Sequence, residues 1–277
     1  MKKHLITILL FTVLIVGLSL LLYPTFSDWW NSMHMTKVIT DYVSLIEEMD
    51  EDEYVGLIEA AQEYNNSLLE RGNGYTVTPE QQAAYPNLLN FLGNGVMGYV
   101  EIPNINVSLP IYHGTSEAVL QVAVGHLDWS SLPIGGESTH AVISGHRGLP
   151  SARLFTDLDR MREGDLFYIR VLDEVLTYEV DKILIVEPHE VDSLMVKKGK
   201  DYCTLFTCTP YGVNSHRLLV RGHRIETEKE REVTLLVNDA VIIKPIIVAP
   251  LLAVPMLFLL LIWILLPKRK SKRRDQI

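Results

Sequence analysis

Two stretches of this chain, Leu5–Tyr23 and Pro245–Pro267, contain no charged residue. Each approaches the roughly 20 apolar residues that cross a bilayer core. They bracket a body of very different character, so a simple soluble protein is already disfavoured. The flanks carry the basic residues Lys2, Lys3, Lys268, Arg269, Lys270, Lys272, Arg273 and Arg274, opposed only by Asp275. Setting these eight basic and one acidic residue aside from totals of 25 and 34 leaves 17 basic against 33 acidic. An acidic body argues against nucleic acid as a partner. Basic ends outside two apolar spans predict, by the positive-inside rule, cytoplasmic termini and a body on the outer face of the cell membrane. The residues after the first span, Leu20-Leu21-Leu22-Tyr23-Pro24, lack the small residues of a signal-peptidase site, which favours an uncleaved anchor. The second span carries Pro245, Pro250 and Pro255, and its dense cationic flank reads as a stop-transfer signal.

Between the spans the pattern changes twice. From Thr36 to about Glu70 apolar residues fall at helical spacing, first Val38, Ile39, Tyr42, Val43 and Ile46, then Tyr54, Leu57, Ile58, Ala61, Tyr64 and Leu68. The acidic run Asp50–Glu53 separates two helices and suits the start of the second. Segment Arg71–Gly98 reads as irregular. From Tyr99 onward, short apolar runs are punctuated by Pro, Gly and Asn: Gly98–Ile102, Leu109–Ile111, Ala141–Ser144, Leu166–Val171, Val175–Val186, Thr204–Thr207, Arg217–Arg221 and Val233–Leu236. About eight short strands predict a mainly β fold, a closed or nearly closed barrel behind N-terminal helices. Ser116–Val124 reads as a short helix.

Cys203 and Cys208 are the only cysteines. On one strand, residues five apart lie on opposite faces, ~16 Å from each other. A disulfide needs Cα atoms within roughly 7 Å, so at least one thiol is expected to be free. If the run ending at Cys208 pairs antiparallel with the run beginning near Arg217, the two side chains face each other across the Pro210–Asn214 turn. A guanidinium there stabilises a thiolate or an oxyanion. The alternative is a surface arginine beside a buried cysteine. Cysteine chemistry also needs a proton donor for a leaving amine. Of nine histidines, His146 is the best candidate, just after an apolar run and between Gly145 and Gly148. His113, His126 and His140 read as structural or surface residues. Metal-ligand spacing is absent: no CxxC or HxxxH pair occurs. Neither a phosphate-binding glycine loop nor a GxSxG elbow occurs, so a serine hydrolase is not supported.

The strings TLFTC, SGHRG and the arginine nine residues past the cysteine resemble the signature segments of sortases, the Gram-positive cysteine transpeptidases. Longer runs, IYHGTSEAVLQVAVGHL, HAVISGHRGLPSARLFTDLD and TCTPYGVNSHRLLVRGHR, resemble class C, the pilin-polymerising sortases. The resemblance implies a sortase-type closed eight-stranded β-barrel flanked by two transmembrane helices. It divides the chain into a basic start (1–4), a signal anchor (5–23), a helical region with a possible lid segment (24–98), the catalytic barrel (99–240), a second membrane helix (245–267) and a basic tail (268–277). It implies Cys208 as nucleophile, His146 as general acid/base and Arg217 as oxyanion or substrate ligand, with no cofactor and no metal. It also implies cleavage of an LPXTG-like sorting signal on a pilin or surface-protein precursor through a thioacyl-enzyme, resolved by an amine, in class C a pilin lysine. Alternatives are a cell-wall-anchoring sortase and a non-catalytic, membrane-tethered binding module. One departure stands out: class C lids are anchored by an Asp-Pro-aromatic motif, and Arg71–Gly98 holds no Asp.

Overall fold

The computed structural model describes residues 2–69 and 76–227. The second apolar span, the basic tail and the strand expected at Val233–Leu236 lie outside the described residues. The described chain falls into two units, one ending at Phe26 and the other beginning at Ser27.

Helix α1 runs without a break over Lys2–Glu47 and contains Pro24. The sequence pattern separates a span ending at Tyr23 from a helix starting near Thr36; the structure joins them. A proline removes one helical hydrogen bond, which the neighbouring turns tolerate here. Among the described residues, one helix, Leu5–Glu47, is long and apolar enough to cross a membrane. Helix α2 spans Glu51–Leu69. Asp50 caps it, its carboxylate accepting the Glu53 N–H at 2.8 Å, and Glu51, Asp52 and Glu53 face the positive helix end.

The segment from Thr76 to Gly95 is less irregular than its composition predicts. Helix α3 covers Pro79–Ala84. A full capping box starts it: Gln81 N–H bonds the Thr78 hydroxyl at 3.2 Å and the Gln81 side chain accepts the Thr78 N–H at 3.0 Å. Pro79 sits at the first helical position, where a missing N–H costs nothing.

Eight strands follow: β1 (Val96–Ile102), β2 (Val107–His113), β3 (Val124–His126), β4 (Thr139–Ser144), β5 (Leu166–Val171), β6 (Glu174–Val186), β7 (Asp201–Thr209) and β8 (His216–Ile225). They close into a barrel in the order β1-β2-β3-β4-β7-β8-β6-β5. Closure leaves no free sheet edge. Two pairings, β2 with β3 and β4 with β7, are parallel. Ser116–Val124 divides into a one-turn helix α4 (Glu117–Leu120) and the start of β3. Strand β3 has three residues and no alternation to announce it.

Period-2 alternation sorts the strand residues by face. Val100, Ile111, Ala141, Ile143, Ile169, Cys203, Leu205 and Val220 point into the main core with Phe167 and Tyr178. Val142, Leu219 and partly buried Phe206, Leu184 and Val186 form a second cluster on the other face. Cys203 therefore faces the interior, and Cys208, in phase with Phe206, faces outward. Gly98 in β1 is required by close packing, since a Cβ there would lie 2.4 Å from the Arg170 carbonyl oxygen.

Two histidines are structural, as the sequence reading expects of them. His126 is fully buried; it donates from Nε2 to the Ser131 carbonyl (2.8 Å) and accepts the Tyr85 hydroxyl at Nδ1 (2.9 Å). His140 bonds the Met195 carbonyl through Nδ1 (3.1 Å) and the Thr204 hydroxyl through Nε2 (2.7 Å). Burial pushes both down to about 4. The unfolded chain titrates them near ~6.5, so between the two values it binds more protons than the folded protein. Stability is thus complete above the unfolded value and falls as pH drops toward the folded one. Each histidine contributes on the order of 3 kcal/mol to that fall. The urea midpoint should drop steeply between pH 7 and pH 4.5, and His126→Gln should show about half the drop. An unchanged midpoint across that range would contradict the neutral assignments.

Candidate active site

The site is assembled from the ends of three neighbouring strands. β7 and β8 form a hairpin whose register pairs Cys208 with Arg217. This is the pairing that the spacing across the Pro210–Asn214 turn predicts. Cys208 is partly exposed and carries no disulfide. Cys203, five residues earlier, is fully buried and paired with Gly222. Burial, and to a lesser degree the Asp201 carboxylate, pushes the Cys203 thiol far above its usual range, so it stays protonated.

Arg217 holds its place by donating from Nη1 to the carbonyls of Asn214 and His216, both at 3.1 Å. Among the described residues its Nε and Nη2 meet no acceptor, so two planar donors remain for a ligand at the cysteine. His216, one residue earlier, is exposed and bonds the Ser215 hydroxyl at 2.8 Å.

His146 comes from the other neighbour of β7. The parallel β4–β7 ladder ends at Ser144–Phe206. Gly145 then donates to the Phe206 carbonyl (3.0 Å), and the Thr207 hydroxyl donates to the Gly145 carbonyl (2.7 Å). His146 and Cys208 each lie two residues past that last pair, at the same end of adjacent strands. No hydrogen bond joins them among the described residues; in free enzymes such bonds are often loose. Gly145 fits because a Cβ there would lie 2.7 Å from the Phe155 ring.

The structure surrounds the site with side chains that the sequence reading does not single out. Glu117, on α4, places Oε2 3.8 Å from His146 Nε2. Arg147 reaches Thr209 Oγ1 at 3.1 Å and Asp159 at 2.5 Å. From α1, Asn31 donates to the Ser151 carbonyl and Asp28 accepts the Arg153 N–H, both at 2.8 Å. The loop that carries His146 is thereby tied to the helix emerging from the apolar span. Glu117, Arg147 and Asp159 lie inside the strings IYHGTSEAVLQVAVGHL and HAVISGHRGLPSARLFTDLD, where nothing marks them as partners of the site; Asn31 and Asp28 are joined to the loop by folding alone.

Among the hydrogen-bonding ties of the possible lid segment, the most deeply buried is that of Tyr85, beside the Gln81–Ser67 and His113–Leu88 hydrogen bonds. This buried hydroxyl meets His126 and accepts the Gly114 N–H at 3.0 Å. Its aromatic anchor is thus seated at the ends of β2 and β3, and among the described residues the segment makes no hydrogen bond to Cys208, His146 or Arg217.

Residues 100–225 match the Sortase domain family. The chain is similar to the crystal structure of sortase C1 from Streptococcus agalactiae, at 51% identity with a TM-score of 0.67, covering 69% of this chain and 100% of that one. It is also similar to sortase C of Streptococcus pneumoniae, at 45% identity with a TM-score of 0.62, covering 69% of this chain and 97% of that one. Against curated sequences it is 32% identical to sortase A of Streptococcus agalactiae over 117 residues, 41% of this chain and 47% of that protein. The chain thus spans about half the length of that curated relative.

Proposed function

From the premise that the chain belongs to the sortase family, with solved class C members among its neighbours, we propose that it is a membrane-anchored cysteine transpeptidase that joins pilin subunits. The observation that carries the reading is the Cys208–Arg217 pair: a partly exposed free thiol directly across the strand register from an arginine that keeps two unengaged donors among the described residues. A binding module would have no use for an exposed thiol so placed.

The chemistry runs in two halves. The Cys208 thiolate attacks the Thr carbonyl carbon of an LPXTG-like sorting signal. Arg217 donates to the oxygen that becomes negative in the tetrahedral intermediate. His146, as imidazolium, protonates the leaving glycine amine as the C–N bond breaks, which leaves a thioester on Cys208. A lysine amine of a second pilin then attacks the thioester. Neutral His146 takes its proton, the thiolate leaves, and an amide joins the two subunits. The enzyme thus ends each cycle as it began. The Streptococcus pneumoniae sortase C is a protein whose crystal structure bears on pilin substrate specificity, and similarity to it favours pilin over wall-peptide acceptors. The direct test is incubation with an LPXTG-type peptide without amine. A mass increase on Cys208 equal to the acyl fragment is expected; an enzyme that stays unmodified with every such peptide would overturn the reading.

The same reading places the barrel on the outer face of the cell membrane, held by the Leu5–Tyr23 anchor and by the second apolar span, with both termini in the cytoplasm. The basic ends and acidic body support it. Protease added to intact protoplasts should remove the barrel and spare both tails. Digestion of the KRKSKRR tail from outside would refute the topology.

A further inference from the structure

We propose that Arg147 is a positioning residue, a strut that holds the His146 segment against the strand end carrying Cys208; its role in turnover rests on the transpeptidase reading above. The two residues come from strands that are neighbours in space but 62 residues apart in sequence, and their ladder stops short of both. After the Thr207–Gly145 bond, the next hydrogen bond across the junction among the described residues is made by a side chain. Arg147 Nη1 donates to Thr209 Oγ1 at 3.1 Å, one residue past the cysteine.

The other arm of the same guanidinium pairs Nη2 with Asp159 at 2.5 Å, in the short turn Leu158–Arg160. Within the loop, Gly148 N–H bonds the Thr156 hydroxyl (3.2 Å) and Phe155 N–H bonds the His146 carbonyl (3.2 Å). The Arg147 fork therefore ties the loop's start to its end and to the nucleophile strand at once. A second contact crosses the same junction. A Cβ on Gly148, which has φ +82°, would lie 3.0 Å from the Tyr211 ring of the β7–β8 turn. The histidine loop and the cysteine turn are packed closely enough there that a side chain at 148, besides its strained backbone, would have to displace the Tyr211 ring.

The energetics favour a positional role over a general one. The Arg147 side chain is 8% exposed, against 49% for Asp159, so the cation is more deeply buried than its counter-charge. Its Nε is buried without a partner among the described residues. A surface pair would be worth little, and a buried donor left unmet is a cost. What the arrangement secures is geometry. Lysine, a point charge on a flexible stem, cannot span Thr209 and Asp159 together.

The test uses the full-length chain in detergent and three substitutions: Arg147→Lys, Thr209→Val and His146→Ala. Turnover of an LPXTG-type peptide with an amine acceptor is measured alongside the rate at which iodoacetamide alkylates Cys208, followed by intact mass. Arg147→Lys should remain folded and lose at least about tenfold in kcat with KM within about twofold, the pattern of misplaced groups rather than lost binding. Alkylation of Cys208 should slow as well, because the imidazole is no longer held where it can take the thiol proton. Thr209→Val, which deletes the acceptor alone, should move both readings in the same direction by less. In a His146→Ala background, Arg147→Lys should slow alkylation no further, since the strut acts through the histidine. Wild-type kcat and alkylation in folded Arg147→Lys would overturn the proposal, as would an undiminished effect in the His146→Ala background. If the wild type turns over no sorting peptide, the functional reading fails, while the alkylation series still decides the strut.

Discussion

Cys208→Ala should abolish thioacyl formation on a sorting peptide, whereas Cys203→Ala should keep most of its turnover per folded molecule. The two thiols share a strand and differ in everything that controls reactivity. Cys203 points into the main core, is fully buried, and is held protonated by desolvation. A buried neutral thiol is neither nucleophilic nor reachable. Cys208 points outward at the strand end, partly exposed, across from Arg217. Removing the Cys203 sulfur leaves a small cavity and lowers stability by about 1 kcal/mol or somewhat more, without touching the reacting atoms. Intact mass after peptide incubation checks both variants. Loss of the acyl adduct in Cys203→Ala with its retention in Cys208→Ala would reverse the assignment.

Arg217→Lys should fold normally and lose at least roughly 100-fold in turnover, near the lower end of the ~2.7–4 kcal/mol that one oxyanion donor provides. Lysine keeps the charge. It loses the planar fork in which one nitrogen grips the Asn214 and His216 carbonyls while the others remain free for the substrate. Arg221 makes an informative control, because the structure gives it a different duty. It lies opposite Thr204, four pairs from Cys208 and ~13 Å along the strand. Both its arms engage Asp181, at 2.9 and 2.7 Å, and its guanidinium stacks 4.2 Å from the centre of the Tyr202 ring. Arg221→Lys should therefore lower the thermal midpoint while leaving turnover within a few-fold of wild type. Equal losses of turnover from the two substitutions would mean that general positive potential, not a placed donor, supports the chemistry.

Elements whose signals are local were legible before folding. β5 matches its apolar run residue for residue, Leu166–Val171. α2 follows its 3.6-residue spacing and its acidic start. The Cys208–Arg217 pairing follows from a hairpin short enough for spacing to set the register. Where local signals are weak or compete, the pattern misleads. The capping box at Thr78–Gln81 is present in the sequence, but a six-residue helix has too few turns to show a period. Pro24 breaks the pattern between the anchor and Thr36, yet α1 continues through it. β3, with three residues, exists because β2 and β4 flank it.

The sequence by itself determined the apolar spans, the acidic body, the β character and the register that pairs Cys208 with Arg217. Each rests on composition or on residues within one hairpin or one helix face, where covalent spacing sets geometry. Only the tertiary structure decided that β4 and β7 run parallel as neighbours, which sets His146 beside the Cys208 strand. It also brought Glu117, Asp159 and α1 to the loop that carries the histidine. Parallel pairing requires a long crossover, so its register is chosen by burial around the whole barrel rather than by any turn, and no local pattern encodes it.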